Sequence, residues 1–510
     1  KKNKKMAVTK EITLPSGKTY QQPIGLFINN EFKEAKTGKF IPVTYPATSE
    51  VVAEVHIADA VDDVNEAVNA ATDAFKIWKN VPTSEKRDLF FKLADLCKEN
   101  IQLLAEIESL DTGKAVDNTS IHDMGRIVEC LKYYGGWIDK NVGESYIPSP
   151  KKICYTYHQP LGVVGCIIPF NYPLSLMSWK WAAIAVGNTT VFKAGDQTPL
   201  SILYFATLVE KAGFPKGVFN VINGFGMDVG DALVKHPKVS KIAFTGSTVA
   251  GKIIQSNCSS NLKACSIEAG GKSPIVIYKD CDLEQTIKWT CVGIFSNTGQ
   301  VCSGTSRAYI EEEIYEEFLS KLKEYVEKTY IVGDPFKSDT VVGPVINEVQ
   351  YKKVISYIQS GIDDGCRVIL GGTEKPATIA KNDSLSKGWF VQPTIFADVN
   401  DNMKIVQEEI FGPVLSCRKF NPSNEDIIET CNNSPYGLGA AVFTQDITKA
   451  NLFARDVESG QVWVNSSNDV DMNVPFHGVK ESGLGHELGS YGLKNFTAVK
   501  SVHMNIDNRL

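Results

Sequence analysis

Three residues have side chains and neighbours suited to covalent chemistry at a carbonyl. Cys302 stands in Asn297-Thr298-Gly299-Gln300-Val301-Cys302-Ser303-Gly304, directly after a helical segment from Leu283 to Phe295. Small and polar neighbours let a substrate reach a thiol, and a thiolate is an intrinsically strong nucleophile. Glu268 precedes Gly270-Gly271, a pair that permits close backbone approach. Its carboxylate could act as a general base. Asn171 lies in Pro169-Phe170-Asn171-Tyr172-Pro173, a poor helix or strand signal. An amide fixed there could donate to a developing oxyanion. Each also has a plainer reading: an inert buried cysteine, a capping carboxylate and a turn asparagine.

Three glycine-bearing loops could meet a dinucleotide. Lys193-Ala194-Gly195-Asp196 follows a predicted strand, and an acid there could accept ribose hydroxyls. Gly246-Ser247-Thr248-Val249-Ala250-Gly251 opens a helix whose free N–H groups could meet a phosphate. Gly224, Gly226 and Gly230 also follow a strand, but their spacing is one residue longer than the dinucleotide fingerprint.

The elements that position these residues can be read in outline. Val61, Val64, Val68, Ala71, Phe75 and Trp78 mark one face of a helix, and Leu89 to Cys97 marks another. The chain therefore begins with a short extended entry and then helices. Turn residues from Tyr146 to Lys152 interrupt this rhythm. Strands are then predicted at Val163–Ile168, Thr189–Phe192, Val218–Ile222 and Lys241–Thr245. Thr198 is expected to cap a helix that Pro199 opens and Gly213 stops. A second alternating set runs from Ser273 through Ser306–Ile310 and a helix near Tyr315 to Tyr325, ending at Val462–Asn465. Alternating strands and helices imply parallel sheets, which bind ligands at the carboxyl ends of their strands. The expected fold is α/β, with two Rossmann-like α/β domains flanking a cleft. The tail from Tyr491 to Asn505 is a candidate edge strand for a partner subunit.

Composition narrows the function. The 510 residues are 43% hydrophobic and 22% charged, an ordinary globular balance. With 53 basic and 59 acidic residues, no cationic excess exists to neutralise phosphates, so nucleic acid is not an expected partner. The longest apolar stretch, Leu161 to Phe170, holds two glycines and a proline. It falls short of the about 18 residues that span a bilayer, so no membrane partner is expected either. The twelve cysteines are scattered and suit a reducing compartment. The start, Lys1-Lys2-Asn3-Lys4-Lys5, carries no secretory signal, and Met6 is the first methionine. The cytoplasm is expected, or the mitochondrial matrix after removal of a leader.

Taken together, the motifs resemble the NAD(P)-dependent aldehyde dehydrogenase superfamily, with fungal members most similar. The resemblance runs from about Gly25 to Lys500 and rests on Phe244-Thr245-Gly246-Ser247-Thr248, Glu268 to Pro274, Gly299-Gln300-Val301-Cys302, Glu408 to Pro413 and Pro475 to Gly483. It implies that Cys302 is the nucleophile, Glu268 the general base and Asn171 the oxyanion donor. It places Lys193 at the adenosine ribose, Ser247 at the pyrophosphate, and Glu409 and Phe411 at the nicotinamide ribose, with Lys353 beside them. Ile168, Phe170, Asp196, Gly226, Gly230, Phe244 and Gly246 complete the implied cofactor contacts. No metal site is implied. Residues 9–145 with 162–280 would form the dinucleotide-binding domain and 281–485 the catalytic domain. Residues 146–161 with 486–510 would form a small β oligomerisation element in a homodimer or homotetramer. The implied reaction oxidises a small aldehyde to its acid through a cysteine thioester. A non-catalytic relative acting as a scaffold is the alternative. It would be free to lose one of the three catalytic residues, and this chain keeps all three. Relatives that pass the acyl group to coenzyme A tend to lack the Glu268 base.

This chain departs from the common pattern at several positions. Tyr172 stands where phenylalanine is usual and adds a hydroxyl to the substrate side. Ser296 replaces a bulky aromatic and widens the entrance. His477 and His486 stand where glycine and arginine are common, and surface or packing roles are expected for both. Asp196 replaces the usual glutamate, yet it remains an anion that repels a 2′-phosphate, so NAD is expected over the alternative NADP. The ratio of kcat/KM for NAD to that for NADP should therefore exceed one; higher efficiency with NADP would refute the Asp196 argument.

Overall fold

A computed structural model describes residues 7–507. The lysine-rich start from Lys1 to Lys5, Met6 and the last three tail residues lie outside them. The helix predicted from apolar spacing forms at Asp62–Trp78, with Val64, Val68, Ala71 and Trp78 buried. Val61 stands just before it and is exposed. The next helix spans Thr83–Glu99 and buries Phe90, Leu93 and Cys97.

The entry is not short. Three β-hairpins precede the first helix, pairing Thr9–Thr13 with Thr19–Pro23, Leu26–Ile28 with Glu31–Lys33, and Phe40–Tyr45 with Glu50–His56. Polar and β-branched residues alternate there too briefly for a sequence pattern to stand out. The middle hairpin extends the first large sheet, since Phe27 pairs with Val221.

That first sheet has eight strands. Its parallel centre is Ala264–Glu268, Val239–Thr245, Val163–Ile167, Thr189–Lys193 and Phe219–Ile222, in that spatial order. The second sheet has seven strands. Pro274–Ile277 and Arg307–Glu311 lie at its centre, with Val414–Phe420 and Thr394–Ala397 beyond the latter, and Gly439–Phe443 and Gln461–Val464 beyond the former. Gly483–Leu484, placed by sequence in the second domain, pairs instead with the Glu268 strand of the first sheet. The Ser482 carbonyl accepts from the Ala269 N–H at 2.8 Å and holds it there.

Two local expectations are corrected, and the place of the tail is defined. The turn-rich stretch from Tyr146 to Lys152 is a hairpin, Ser145–Ser149 turning into Lys152–Pro160. The tail strand Thr497–Asn505 pairs antiparallel with Lys152–Pro160 of its own chain over nine residues. It is the edge of a three-stranded sheet, so one side of its backbone stays open, as expected of an edge strand. Finally, Thr198 does not cap its helix. The helix runs Leu200–Ala212, and the carboxylate of distant Asp111 accepts from the Leu200 N–H at 2.8 Å. Gly213 ends that helix with φ of 93°, a left-handed cap that glycine adopts at low cost.

Aromatic rings fill the core beneath the first sheet. Trp181 packs against Phe90, Phe205, Phe214 and Phe219 with ring centres 5.3–5.7 Å apart. Phe219 is fully buried and also meets Phe27 and Phe192. Phe219→Ala should lower stability by about 3–5 kcal/mol through lost contacts and the cavity left behind. A guanidinium unfolding midpoint equal to that of the parent chain would contradict this packing.

Candidate active site

Register explains why distant residues meet. In the first sheet Ile167 pairs with Lys193 and with Phe244, and Thr245 pairs with Glu268. The parallel strands therefore end together, and their following loops share one edge. Ile168 to Asn171, Lys193 to Asp196, Gly246-Ser247 and Glu268 all come from that edge. In the second sheet the opposite ends matter. Gly271 to Ser273 lead into Pro274–Ile277, Cys302 precedes Arg307–Glu311, and Glu409 to Phe411 precede Val414–Phe420. Only residues 269–273 connect Glu268 to the second sheet, so carboxyl ends of one sheet abut amino ends of the other.

The cysteine loop is held in an uncommon backbone conformation. Asn297, Thr298 and Gly299 have φ of 47°, 56° and 68°. For a β-branched residue such as Thr298 this region is strained. Side-chain bonds hold it: Thr298 Oγ1 donates to the Gly343 carbonyl at 3.0 Å, and Asn297 Nδ2 donates to the Asn171 carbonyl at 2.9 Å. Asn171 in turn donates from Nδ2 to the Gln300 carbonyl at 3.0 Å. One amide proton is thus anchored two residues from Cys302, which fixes the direction of the other. Cys302 itself is half-buried. Burial pushes its thiol up to about 12, aided by the negative charges of Glu268 and Glu409.

Glu268 is buried, and neither carboxylate oxygen meets a hydrogen-bond partner among the described residues. Burial holds its carboxyl well above the usual range; Glu487 adds to this and Lys180 opposes it. Sequence reasoning missed both of those residues. Lys180 is fully buried and donates to Glu487 Oε1 at 2.7 Å and Thr245 Oγ1 at 2.9 Å. A charged residue between Trp179 and Trp181 was the available signal, because a lysine there must be paired or exposed. Asn297 and Gln300 were quoted only as neighbours of the thiol, yet both hold its loop.

The two glycines after Glu268 are sterically required. A Cβ on Gly270 would stand 2.3 Å from Glu409 Oε2, and one on Gly271 would stand 2.6 Å from the Cys302 carbonyl oxygen. Glu409 Oε1 accepts from the Gly271 N–H at 3.1 Å. Burial still raises its carboxyl, against that bond and the charges of Lys353 and Lys272. Phe411 adopts φ of 59°, and its ring meets Phe170 edge-on at 5.7 Å. Burial lowers the Lys353 amine, whose neighbours include Glu409 and Glu408.

At the far end, Lys193 is buried, and burial lowers its amine while Asp196 opposes the shift. Gly230 lies 4.0 Å, measured from an added Cβ, from the Lys193 side chain, and the space beside Gly226 is open. Ser247 is exposed and caps the helix Thr248–Cys258, accepting from the Ala250 N–H. Two of the expected contact residues lie beneath these loops. Phe244 is buried beneath the loop, where its ring would clash with any Cβ on Gly246. Ile168 is likewise buried, and its N–H donates to the Lys193 carbonyl at 3.1 Å. They form the floor of the loops.

A cavity of about 130 Å³ reaches Cys302, with Tyr172, Trp179, Ser296 and Phe476 on its walls. His477 and His486 stack on each other at 4.6 Å and do not line it. Among the described residues no cluster of histidine, cysteine or carboxylate side chains has a metal-binding arrangement. No helix among them is long and apolar enough to cross a membrane.

Comparison with known proteins agrees with this architecture. The profile of the aldehyde dehydrogenase family matches residues 32–502. An aldehyde dehydrogenase of Emericella nidulans is 44% identical over 494 residues, covering 96% of this chain and 97% of its own. One from Aspergillus niger is 44% identical over 503 residues, covering 98% of each. The structure of an aldehyde dehydrogenase from Bacillus cereus in complex with NAD+ superposes with a TM-score of 0.91 at 43% identity, covering 95% of this chain and 97% of that one. This chain therefore belongs to the aldehyde dehydrogenase family, a family of enzymes.

The electrostatics of the thiol can be tested on the protein alone. Iodoacetamide alkylation of Cys302, followed by peptide mass spectrometry, should be slow at neutral pH and rise about tenfold per pH unit as the thiolate forms. In Glu268→Gln the alkaline part of the profile, where Glu268 is ionised, should move to lower pH, because a negative neighbour is gone. Coincident profiles would show that Glu268 does not act on the thiol.

Proposed function

We propose that this protein oxidises an aldehyde to a carboxylic acid with NAD, with Cys302 as nucleophile, Asn171 as oxyanion donor and Glu268 as general base. The observation that carries the reading is the convergence of these three residues at one sheet junction, with a cavity that opens on the thiol.

The cofactor side suits a dinucleotide. Lys193 and Asp196 offer a cation and an anion suited to ribose hydroxyls. The open backbone at Gly226 leaves room for close approach, and the N-terminal amides at Ser247 suit phosphate. Glu409, anchored on the Gly271 N–H, would take the second ribose, with Phe411, Phe170 and Lys353 around it. NAD, when bound, supplies the hydride acceptor.

The chain's own residues do the rest. A flat carbonyl does not readily release hydride, so the Cys302 thiolate first adds to it and the carbonyl carbon becomes tetrahedral. The free proton of the Asn171 amide and the Cys302 backbone N–H would stabilise the alkoxide. One such donor is worth about 3 kcal/mol. Collapse of the alkoxide expels hydride and leaves a thioester on Cys302. Glu268 then takes a proton from water as that water attacks, which frees the acid and the thiol. A buried carboxyl without partners holds its own proton, so Glu268 can act only once water or substrate hydrates it. Lys180 and Glu487 lie within electrostatic reach of that proton.

The wider organisation follows the same reading. Residues 9–145 with 162–280 form the dinucleotide-binding domain and 281–485 the catalytic domain, apart from the strand at Gly483–Leu484. The three-stranded sheet of Ser145–Ser149, Lys152–Pro160 and Thr497–Asn505 serves association into a homodimer or homotetramer. All twelve cysteines are unpaired, which suits a reducing compartment such as the cytosol or the mitochondrial matrix.

NADH formation from acetaldehyde, or from any member of an aldehyde panel, is the direct test. Cys302→Ala should abolish it. Glu268→Gln should retain one burst of NADH per active site while steady turnover falls about a hundredfold or more. Absence of turnover across the panel would favour a non-catalytic role.

A further inference from the structure

The cavity that reaches Cys302 carries a charge that the oxidation itself does not use. Its walls are largely apolar, formed by Leu176, Trp179, Val292, Met472 and Phe476. Arg126, on the helix Ile121–Trp137, also lines it and is exposed. Among the described residues no carboxylate pairs with the Arg126 guanidinium. Asp123, three residues earlier on the same helix, is committed to Lys114 Nζ at 2.8 Å, and Glu108 holds the same amine at 2.8 Å. That buried cation sits 4.1 Å from the centre of the Tyr172 ring, so its charge is already balanced.

Tyr172 supplies a second donor. Its hydroxyl has no hydrogen-bond partner among the described residues, and the Arg126 charge is near enough to act on it. Neither Asp469 nor Asp471 lines the cavity, and Asp471 accepts from the Asn473 N–H and Nδ2 at 2.7 Å each. A neutral alkyl aldehyde would use the apolar walls and leave both donors idle.

We propose that the preferred substrate is a short aldehyde with a carboxylate at its far end, recognised by the Arg126 guanidinium and the Tyr172 hydroxyl. A guanidinium fork matches a carboxylate geometrically, and a charge-assisted bond of this kind is stronger than a neutral one. The cavity, about 130 Å³, has room for several waters and so for a short carbon chain. A short chain in this cavity would carry its aldehyde on Cys302 and its carboxylate on Arg126, since both residues line it. This inference rests on the aldehyde oxidation proposed above.

The test compares aldehydes of equal length: butanal with 4-oxobutanoate, and pentanal with 5-oxopentanoate, each with NAD. In the parent enzyme kcat/KM should be about tenfold or more higher for the carboxylate member of a pair. That ratio should fall as salt rises, because Arg126 is exposed. Arg126→Gln should reduce the ratio about tenfold, Arg126→Lys should recover part of it, and Tyr172→Phe should reduce it less. A ratio near one in the parent enzyme, or one unchanged in Arg126→Gln, overturns the inference while oxidation of the neutral aldehydes leaves the general function standing. Oxidation of neither member overturns both.

Discussion

The site depends on a backbone crossing that admits no side chain. Where the chain leaves the first sheet after Glu268, Gly270 lies against the Glu409 carboxylate and Gly271 against the Cys302 carbonyl. Distances of 2.3 and 2.6 Å to an added Cβ leave no room for even a methyl group. Because of that crossing, the end of one sheet and the beginning of the other share a few ångströms of space. The Glu268 and Glu409 carboxyls and the Cys302 thiol, from three separate segments, are brought together there.

Burial sets the chemistry of that space. Desolvation raises the Cys302 thiol and the Glu268 and Glu409 carboxyls together, and lowers the Lys193 and Lys353 amines around them. Lys272 follows the same rule: it is buried without a hydrogen-bond partner, and its amine is brought down to about 7. A site composed this way holds most of its groups near neutrality at rest. Incoming charge or water then has a large effect, because little solvent is present to screen it.

The interior aromatic packing and the strained loop serve the same end. Trp181 and its phenylalanine neighbours hold the helices beneath the first sheet, and the strand ends inherit that rigidity. The left-handed run from Asn297 to Gly299 is tied down by Thr298, Asn297 and Asn171 side chains. Asn171 therefore ties the cysteine loop to the strand ends of the first sheet. The substitutions that distinguish this chain at the cavity, Tyr172 and Ser296, lie on its walls and leave this framework untouched.

Much of this was legible in the amino-acid sequence, for a physical reason. Helix faces repeat every three to four residues and buried strands are short apolar runs, so Asp62–Trp78, Leu283–Phe295 and the central parallel strands follow from local pattern alone. Motif residues such as Cys302 and Glu268 stand out because their glycine neighbours permit close backbone approach. Other features depend on residues far apart in the chain. Asp111 capping the Leu200 helix, Lys180 meeting Glu487, the tail folding back on Lys152–Pro160, and Phe244 and Ile168 turning into the floor are such cases. The sequence by itself determined the α/β alternation and the residue types at the site. Tertiary structure alone decided which charges are paired and which are left facing the cavity, because pairing is settled by distances between segments that no local pattern encodes.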